Sequence, residues 1–579
     1  MEDNKKLAEK RHSLAHLLAA AVKELYPNAK LTLGPAVENG FYYDIDFGEE
    51  KISDNDLKKI EKKMRHIAKS WKKFEGKKVG KQEAEEYFKE NEYKQELIDE
   101  ITQREEDITL YTSGAFTDLC RGGHTEDFQD IAMDAWKLDR VAGAYWRGDE
   151  KNPMLTRIYG LAFDTKEELD EYLKRREEAK ERDHRKLGKE LELFTFSDLV
   201  GSGLPLFTPK GTKIRELIVD TIAELQEAYG WDRVTIPHIT KKDLYETSGH
   251  WQKFSDELFK VKGKKDTEFV MKPMNCPHHT QIFKAFPKSY RDLPVRYAEN
   301  TMVYRDEQAG ELLGLARVRA ITQDDGHAFV TPEQIKEEVG NIVHIIKSFY
   351  EKLGMLDENY WVSLSVMDPN EPEKYMNEGG IFEKAERILE EIAQEQNLPY
   401  KRIEGEAAFY GPKLDFQFKD ALGREWQLGT VQLDFSMPRR FGLEYTDKDG
   451  EKKTPVMIHR AIAGSLERFM AVILEHFNGW LPLFLAPTQI AVIPIHPEAH
   501  GEYAKHITDT LTKEGYRVEL WNDEKENFRK KIKRARKERL PYWIIVGNEE
   551  KENGTLTVES RDTQEKGISL KEFISFLER

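Results

Sequence analysis

The chain has 579 residues, of which 39% are hydrophobic and 11% aromatic, a composition that excludes a disordered or low-complexity polymer. The formal net charge of −16 gives no bulk attraction for nucleic acid, so a polyanion has to meet a local basic patch. Two cysteines, Cys120 and Cys276, exclude a disulfide framework and imply a reducing, cytoplasmic setting in which each thiol is available for chemistry.

At roughly 150 residues per domain, the length predicts about three to four domains. The opening "MEDNKKLAEKRHSLAH" lacks the apolar run of a secretory signal. "LAEKRHSLAHLLAAAVKELYP" (7–27) has helical apolar spacing and stops at Pro27, with His12 and His16 on one face at i, i+4. "GFYYDIDF" (40–47) alternates like a strand. "DITLYTSGAFTDLCRGGH" (107–124) reads as a strand running toward a Gly-Gly turn at 122–123 and ends in Cys120-x-x-x-His124.

"DTKEELDEYLKRREEAKERDHRKLGKELELF" (164–194) is dense in mixed charge, and a long solvated connector helix capped by Asp164 or Thr165 is predicted. Over 195–484, strand-like runs such as "FVMKPM", "VRYAENTMVYRDE", "LDFQF" and "WQLGTVQLDF" alternate with helices, which predicts a large antiparallel sheet. The apolar stretch 469–487 is interrupted by Glu475, His476 and Asn478, so no membrane span is expected. From 485, "QIAVIPI", "YRVELW", "YWIIVG" and "TLTVES" alternate with helical patterns, as in a small α/β domain. Within it, "ENFRKKIKRARKERLPYW" (526–543) is a basic helix followed by aromatics; most such charge runs are solvated faces.

The chemistry-bearing stretches are spread widely. "MKPMNCPHHTQ" (271–281) sets Cys276 beside His278 and His279. "VYRDEQAGELLGLARVRAITQDDGH" (303–327) holds Arg305, Glu307, Arg317, Ile321, Gln323, Asp325 and His327. "AFYGPKLDF" carries Tyr410, "WQLGTVQLDF" Gln427, and "VMIHRAIAGSLERF" His459, Gly464, Glu467 and Arg468. Read from spacing, His12/His16 with Cys120/His124 is open between a polar helix face with a loop cysteine and a four-ligand zinc site.

Together with "YGWDRVTIPHI" (229–239), which ends a helix-to-strand run on Pro237, these segments resemble the three signature motifs of class II aminoacyl-tRNA synthetases, and in their full set the threonyl-tRNA synthetase family. The resemblance implies an α+β multidomain protein: an N-terminal α+β editing domain (1–163), a helical linker (164–194), a class II antiparallel-sheet catalytic core (195–484) and a C-terminal α/β anticodon-binding domain (485–579). The family's N-terminal ubiquitin-like module is missing, Ile321 stands where an aromatic residue is frequent, and Gly123 where proline is common.

The resemblance further implies ATP-dependent ligation of L-threonine to tRNA(Thr) through threonyl-adenylate, with hydrolytic editing of seryl-tRNA(Thr), by a homodimer without a membrane anchor. It assigns Cys276, His327 and His459 to one Zn²⁺ per chain, with His278 and His279 as bystanders. Arg305, Glu307, Arg317 and Arg468 fall to ATP, whose phosphates Mg²⁺ helps to neutralise. Asp325 and Tyr410 would hold the substrate ammonium, with Gln323 and Gln427 beside them. His12, His16, Cys120 and His124, with Asp118, Lys94 and Tyr43, would form an editing pocket that needs no metal. The basic helix would meet tRNA, with Glu550 and Arg561 as base-reading candidates. A synthetase for another small amino acid, an inactive RNA-binding paralogue and a simple zinc hydrolase each leave part of this residue set unexplained.

Overall fold

The computed structural model describes residues 2–253, 255–264, 267–356 and 360–578, and the chain divides into two compact units, 1–177 and 178–579. Among the described residues no helix is long and apolar enough to cross a membrane.

In the first unit the helix Glu2–Leu25 buries Leu14, Leu17, Leu18 and Val22 against Phe41, Tyr43 and Ile45 of the strand Gly40–Asp46. The strand carries the predicted alternation, and the helix needs its alanine-rich stretch to come this close. Gly40–Asp46 pairs with Met154–Ala162, which pairs with Trp136–Tyr145; two short strands complete a five-stranded sheet. A second, three-stranded sheet joins Glu75–Val79, Ile108–Ser113 and Phe116–Leu119. Its hairpin turns at Gly114 (φ +58°), which splits the stretch read as one strand into two. Gly122 and Gly123 (φ +98° and +82°) lie in the loop beyond, between Cys120 and His124. A proline at 123 would need φ near −65°, so this loop takes a path that glycine allows and proline does not.

The connector is two helices rather than one. Lys166–Arg182 starts with the Thr165 hydroxyl accepting from the Glu168 N–H, and His184–Glu190 is capped by Asp183, which accepts from the Arg185 N–H. The break at Asp183 lets His184 and Leu187 turn into the second unit's interior.

The second unit is built on an eight-stranded sheet in the order Asp232–Arg233, Val295–Tyr304, Ala320–Val330, Val456–Ala461, Glu425–Asp434, Lys413–Lys419, Trp361–Val366 and Tyr400–Glu404. The inner six strands are antiparallel and both edge strands pair in parallel. Helices Pro209–Glu227, Ile335–Lys352, Ile381–Glu395 and Leu466–His476 supply Ile214, Ile218, Val339, Ile346, Leu389 and Phe469 to the core. The "FVMKPM" run leaves this sheet: Glu268–Met271 is the middle strand of a separate three-stranded sheet with Ile239–Lys241 and Lys260–Lys262. Beyond residue 489 a five-stranded sheet has three parallel strands, Val518–Leu520, Ile490–Pro494 and Tyr542–Val546, extended by antiparallel Thr555–Glu559 and Gln564–Ser569.

One buried ion pair ties the centre of the large sheet. Arg460 Nη1 lies 2.5 Å from Asp324 Oδ1, and the other Asp324 oxygen accepts from the Ile462 and Ala463 N–H groups at 2.8 and 3.1 Å. Arg460→Met strands the Asp324 charge in the interior, which costs about 3–5 kcal/mol. We expect calorimetry to show the second unit melting several degrees lower, with partial recovery in Arg460→Met/Asp324→Asn; an unchanged midpoint contradicts this.

Candidate active site

Period-two alternation along the strand Ala320–Val330 creates the principal site. Ile321, Gln323, Asp325 and His327 line a cavity of about 320 Å³, the size of a small-molecule site. Thr322 and Asp324 point the other way and anchor the strand: the Thr322 N–H donates to Glu467 Oε2 at 2.7 Å, and Glu467 pairs with Arg215 at 2.5 Å. The same cavity is lined by Arg305, Glu307, Arg317 and Arg468, by Tyr410 and Gln427, and by Cys276 and His459. The structure thus brings together every residue that the resemblance gave to zinc, ATP and the substrate ammonium, whereas Glu467 of the same motif lies outside the cavity.

His327 and His459 are direct partners in the antiparallel register of neighbouring strands, and Cys276 opens the helix Cys276–Lys284 beside them. All three are buried, with donor atoms within 4.8 Å of one another. Each imidazole is held from behind. His459 Nε2 is 3.0 Å from Asp434 Oδ2, and His327 Nδ1 is 2.7 Å from His279 Nδ1. His279 is therefore a supporting partner of His327 rather than a bystander, and its Nε2 faces Glu299 at 3.7 Å. His278, also buried, touches neither proposed histidine ligand through a hydrogen bond among the described contacts. Burial drives the Cys276 thiol well above its ordinary pKa. One thiol and two imidazoles with carboxylate or histidine backing is the donor chemistry of a zinc site with an open position, so the residues fit that metal.

Asp325 sits next to this set. Burial raises its carboxyl above the ordinary value, while nearby His279 and Asn275, whose Nδ2 donates to Oδ2 at 3.0 Å, pull the other way. Tyr410 packs its ring 5.1 Å from that of His459, and burial keeps its hydroxyl protonated. Gln427 is tied back to Asp415 Oδ1 at 2.7 Å, which leaves it a weaker candidate than Gln323.

At the other end of the cavity three guanidinium groups converge. The Arg468 pKa is drawn down first by partial burial and then by the charges of Arg305 and Arg317. Arg317 pairs with Glu307 at 2.7 Å and Glu311 at 3.3 Å, and Arg468 Nε donates to the Ala316 carbonyl at 3.0 Å. Cations held in mutual repulsion around a cavity make a site for a polyanion.

In the first unit His12, His16, Cys120 and His124 converge. His12 Nε2 is 3.1 Å and His124 Nε2 3.4 Å from Cys120 Sγ. The His124 ring is stacked between Phe74 and His12. Behind them the buried Lys94 ammonium lies 2.6 Å from Asp118, which also accepts from the Tyr43 hydroxyl. Burial depresses the three imidazoles, His124 to about 2, and raises the Cys120 thiol to about 11. At neutral pH the cluster is four uncharged groups beside one buried ion pair.

In the last region the helix Phe528–Lys537 buries Lys531 and Ala535 and exposes Arg529, Lys530, Lys533 and Arg536. Glu550 lies in the short helix Asn548–Asn553, and both its oxygens are engaged, by the Gly547 N–H at 2.8 Å and the Thr557 hydroxyl at 2.7 Å. Arg561 is exposed beside Asp562, so it is the better placed of the two for an external contact.

The eight-stranded sheet and its arginine-lined cavity define the core of a class II aminoacyl-tRNA synthetase. The family model for the tRNA synthetase class II core domain (G, H, P, S and T) matches residues 259–477, that for the anticodon binding domain residues 489–579, and that for the threonyl and alanyl tRNA synthetase second additional domain residues 108–159. A threonine–tRNA ligase of Flavobacterium johnsoniae is 47% identical over 98% of this chain and 87% of its own length. Another, from Gloeobacter violaceus, is 46% identical over 100% of this chain and 92% of its own. The crystal structure of the RNA binding domain of threonyl-tRNA synthetase from Cryptosporidium parvum is 36% identical, with a TM-score of 0.63 over 68% of this chain and 98% of that one. The chain belongs to the threonyl-tRNA synthetase family.

A thiol with a pKa of about 11 is ionised in about one molecule in ten thousand at pH 7. We expect iodoacetamide to label Cys120 in the folded chain at least about tenfold more slowly than it labels glutathione. Labelling should reach the ordinary rate in urea; labelling of the folded protein at the glutathione rate contradicts the assignment.

Proposed function

We propose that the chain joins L-threonine to tRNA(Thr) in two ATP-driven steps and hydrolyses seryl-tRNA(Thr) formed in error. The observation that carries this reading is the junction, in one cavity, of a Cys/His/His donor set with three converging arginines. We read residues 1–163 as the editing domain, 164–194 as the linker, 195–484 as the catalytic domain and 485–579 as the anticodon-binding domain.

In activation, the threonine carboxylate attacks the α-phosphate of ATP, an acyl–phosphate bond forms, and pyrophosphate leaves. The protein's part is positioning and charge stabilisation. Arg305 holds the carboxylate and α-phosphate together, while Arg468 covers the adenine and the distal phosphates. Arg317 leaves its glutamate partners for the phosphates, and Glu307, once released, meets the adenine. Mg²⁺ travels with ATP and neutralises the remaining triphosphate charge. Asp325 and the Tyr410 hydroxyl hold the substrate ammonium, flanked by Gln323 and Gln427. A terminal ribose hydroxyl of the tRNA then attacks the acyl carbon and AMP departs.

Cys276, His327 and His459 would hold one Zn²⁺, which supplies a Lewis acid able to take an amine and a hydroxyl. Valine lacks that hydroxyl, and an apolar pocket alone separates such isosteres by no more than about a hundredfold. We expect about one zinc per chain and, in amino-acid-dependent pyrophosphate exchange, activity with threonine but none with valine. Cys276→Ser should lose both metal and threonine activation. Full activity of metal-free wild-type protein contradicts this.

Serine keeps both groups and differs by one methyl, worth only about 1–3 kcal/mol of discrimination. Seryl-tRNA must therefore be removed. The neutral imidazoles of His12 and His16 can accept a proton from the attacking water, while Lys94, Asp118 and Tyr43 shape the pocket and Cys120 and His124 line it. Burial lowers the pKa of both imidazoles, so protonation silences them at a lower pH than it would an exposed histidine. We expect the acid limb of seryl-tRNA deacylation to have its midpoint below pH 6.5, and a midpoint at or above that value contradicts this. His16→Ala should keep threonine charging and let seryl-tRNA accumulate. Equal deacylation by wild type and variant removes the editing role.

The basic helix Phe528–Lys537 offers tRNA a charged, sequence-blind face. Phe196, Leu199, Val200 and Leu206 are exposed, with Leu199 fully so, and a second copy of the chain covering them makes the homodimer. The cytoplasm is the setting in which both cysteines stay thiols.

A further inference from the structure

The second connector helix sends one side chain against the turn that precedes Arg317. His184 is buried at the start of His184–Glu190, and its ring has a partner at each nitrogen. Nδ1 donates to Glu475 Oε1 at 2.6 Å, an oxygen that also takes the His184 backbone N–H at 3.0 Å. Nε2 accepts the backbone N–H of Leu315 at 3.0 Å, and Leu315 is fully buried. The other Glu475 oxygen is paired with Arg424, and Asp183 with Arg185. Asp183, His184 and Glu475 have the composition of a metal site, yet every donor atom among them has a protein partner. The cluster is a strut.

What the strut supports is a turn. Residues 313–317 close on themselves: the Ala316 N–H reaches the Leu313 carbonyl at 2.9 Å, and Leu313 and Arg317 form a bridge. His184 grips this turn at Leu315 from behind, and Arg468 grips it at Ala316 from the cavity side. Arg317 is the next residue. Gly314 has φ +51°, and a Cβ there would lie 2.2 Å from His184 Nε2, so only glycine lets the turn seat on the imidazole.

We propose that His184 is a positioning residue for ATP: by accepting the Leu315 N–H it fixes the turn that presents Arg317 and receives Arg468. This rests on the reading of the arginine cavity as the ATP site. His184 touches no substrate; it acts through the loop.

The test is threonine-dependent pyrophosphate exchange by the full chain, with ATP and threonine varied separately. His184→Ala leaves a buried N–H without its acceptor, so a KM for ATP raised about tenfold is expected, with the KM for threonine within about twofold. His184→Gln, whose amide oxygen can take the Leu315 N–H, should recover most of the ATP affinity. Gly314→Ala should reproduce the ATP defect and carries the test if His184→Ala does not fold. An unchanged KM for ATP in either variant overturns the inference. So does a uniform loss in both substrates with a lowered melting temperature and no rescue by glutamine. An unchanged KM for ATP in Arg305→Ala and Arg468→Ala overturns the ATP-site reading itself, a result the His184 and Gly314 variants cannot mimic.

Discussion

The direct pairing of His327 with His459 across two antiparallel strands is the constraint on which the catalytic cavity depends. The register that makes these two residues neighbours also sets Gly326 against Arg460. Because side chains alternate, it sends Ile321, Gln323 and Asp325 to the cavity and Asp324 to its buried arginine. A slip of one residue would exchange the two faces, placing Asp324 in the cavity and the histidine in the core. The hydrogen bonds of Asp324 to Arg460 and the Ile462 and Ala463 amides, and of Glu467 to Arg215 and Thr322, hold that register. The stability of the sheet and the geometry of the site are thus one fact.

The two candidate sites are electrostatic opposites, and each suits the chemistry proposed for it. The catalytic cavity gathers cations in mutual repulsion, as the polyphosphate proposed for it requires, and buries the Asp325 carboxylate to which the proposal gives the ammonium. The cluster in the first unit is desolvated until its imidazoles and thiol are neutral, beside a closed Lys94–Asp118 pair. A neutral imidazole is a base that water can use, and a protonated thiol is not a nucleophile. Hydrolysis assisted by orientation follows from that environment more directly than covalent catalysis does.

Much of this was legible in the sequence because it is local. The strand alternation of "GFYYDIDF", the helix stop before Pro27 and the α/β rhythm after 485 come from short-range patterns, and the motifs fixed the membership of the cavity. What stayed hidden was long-range. Nothing in the spacing says that His327 and His459, 132 positions apart in sequence, face each other across neighbouring strands. Proximity in sequence misdirected: His279 reads as a neighbour of Cys276, whereas the helix that starts at Cys276 turns it onto His327. The connector read as one solvated helix because its charge density hides the turn at Asp183, and with it the burial of His184. The hairpin turn at Gly114 was missed because one glycine is a weaker signal than the pair at 122–123, which bends the loop beyond.

The central claim is that Cys276, His327 and His459 form one zinc site whose open position reads threonine. X-ray absorption at the zinc edge of the purified full-length chain tests it most directly. The account predicts one sulfur at about 2.3 Å and two imidazole nitrogens at about 2.0–2.1 Å. Added threonine should bring further nitrogen or oxygen ligands, and added valine should not. A first shell without sulfur, or one that threonine leaves unchanged, would contradict the account.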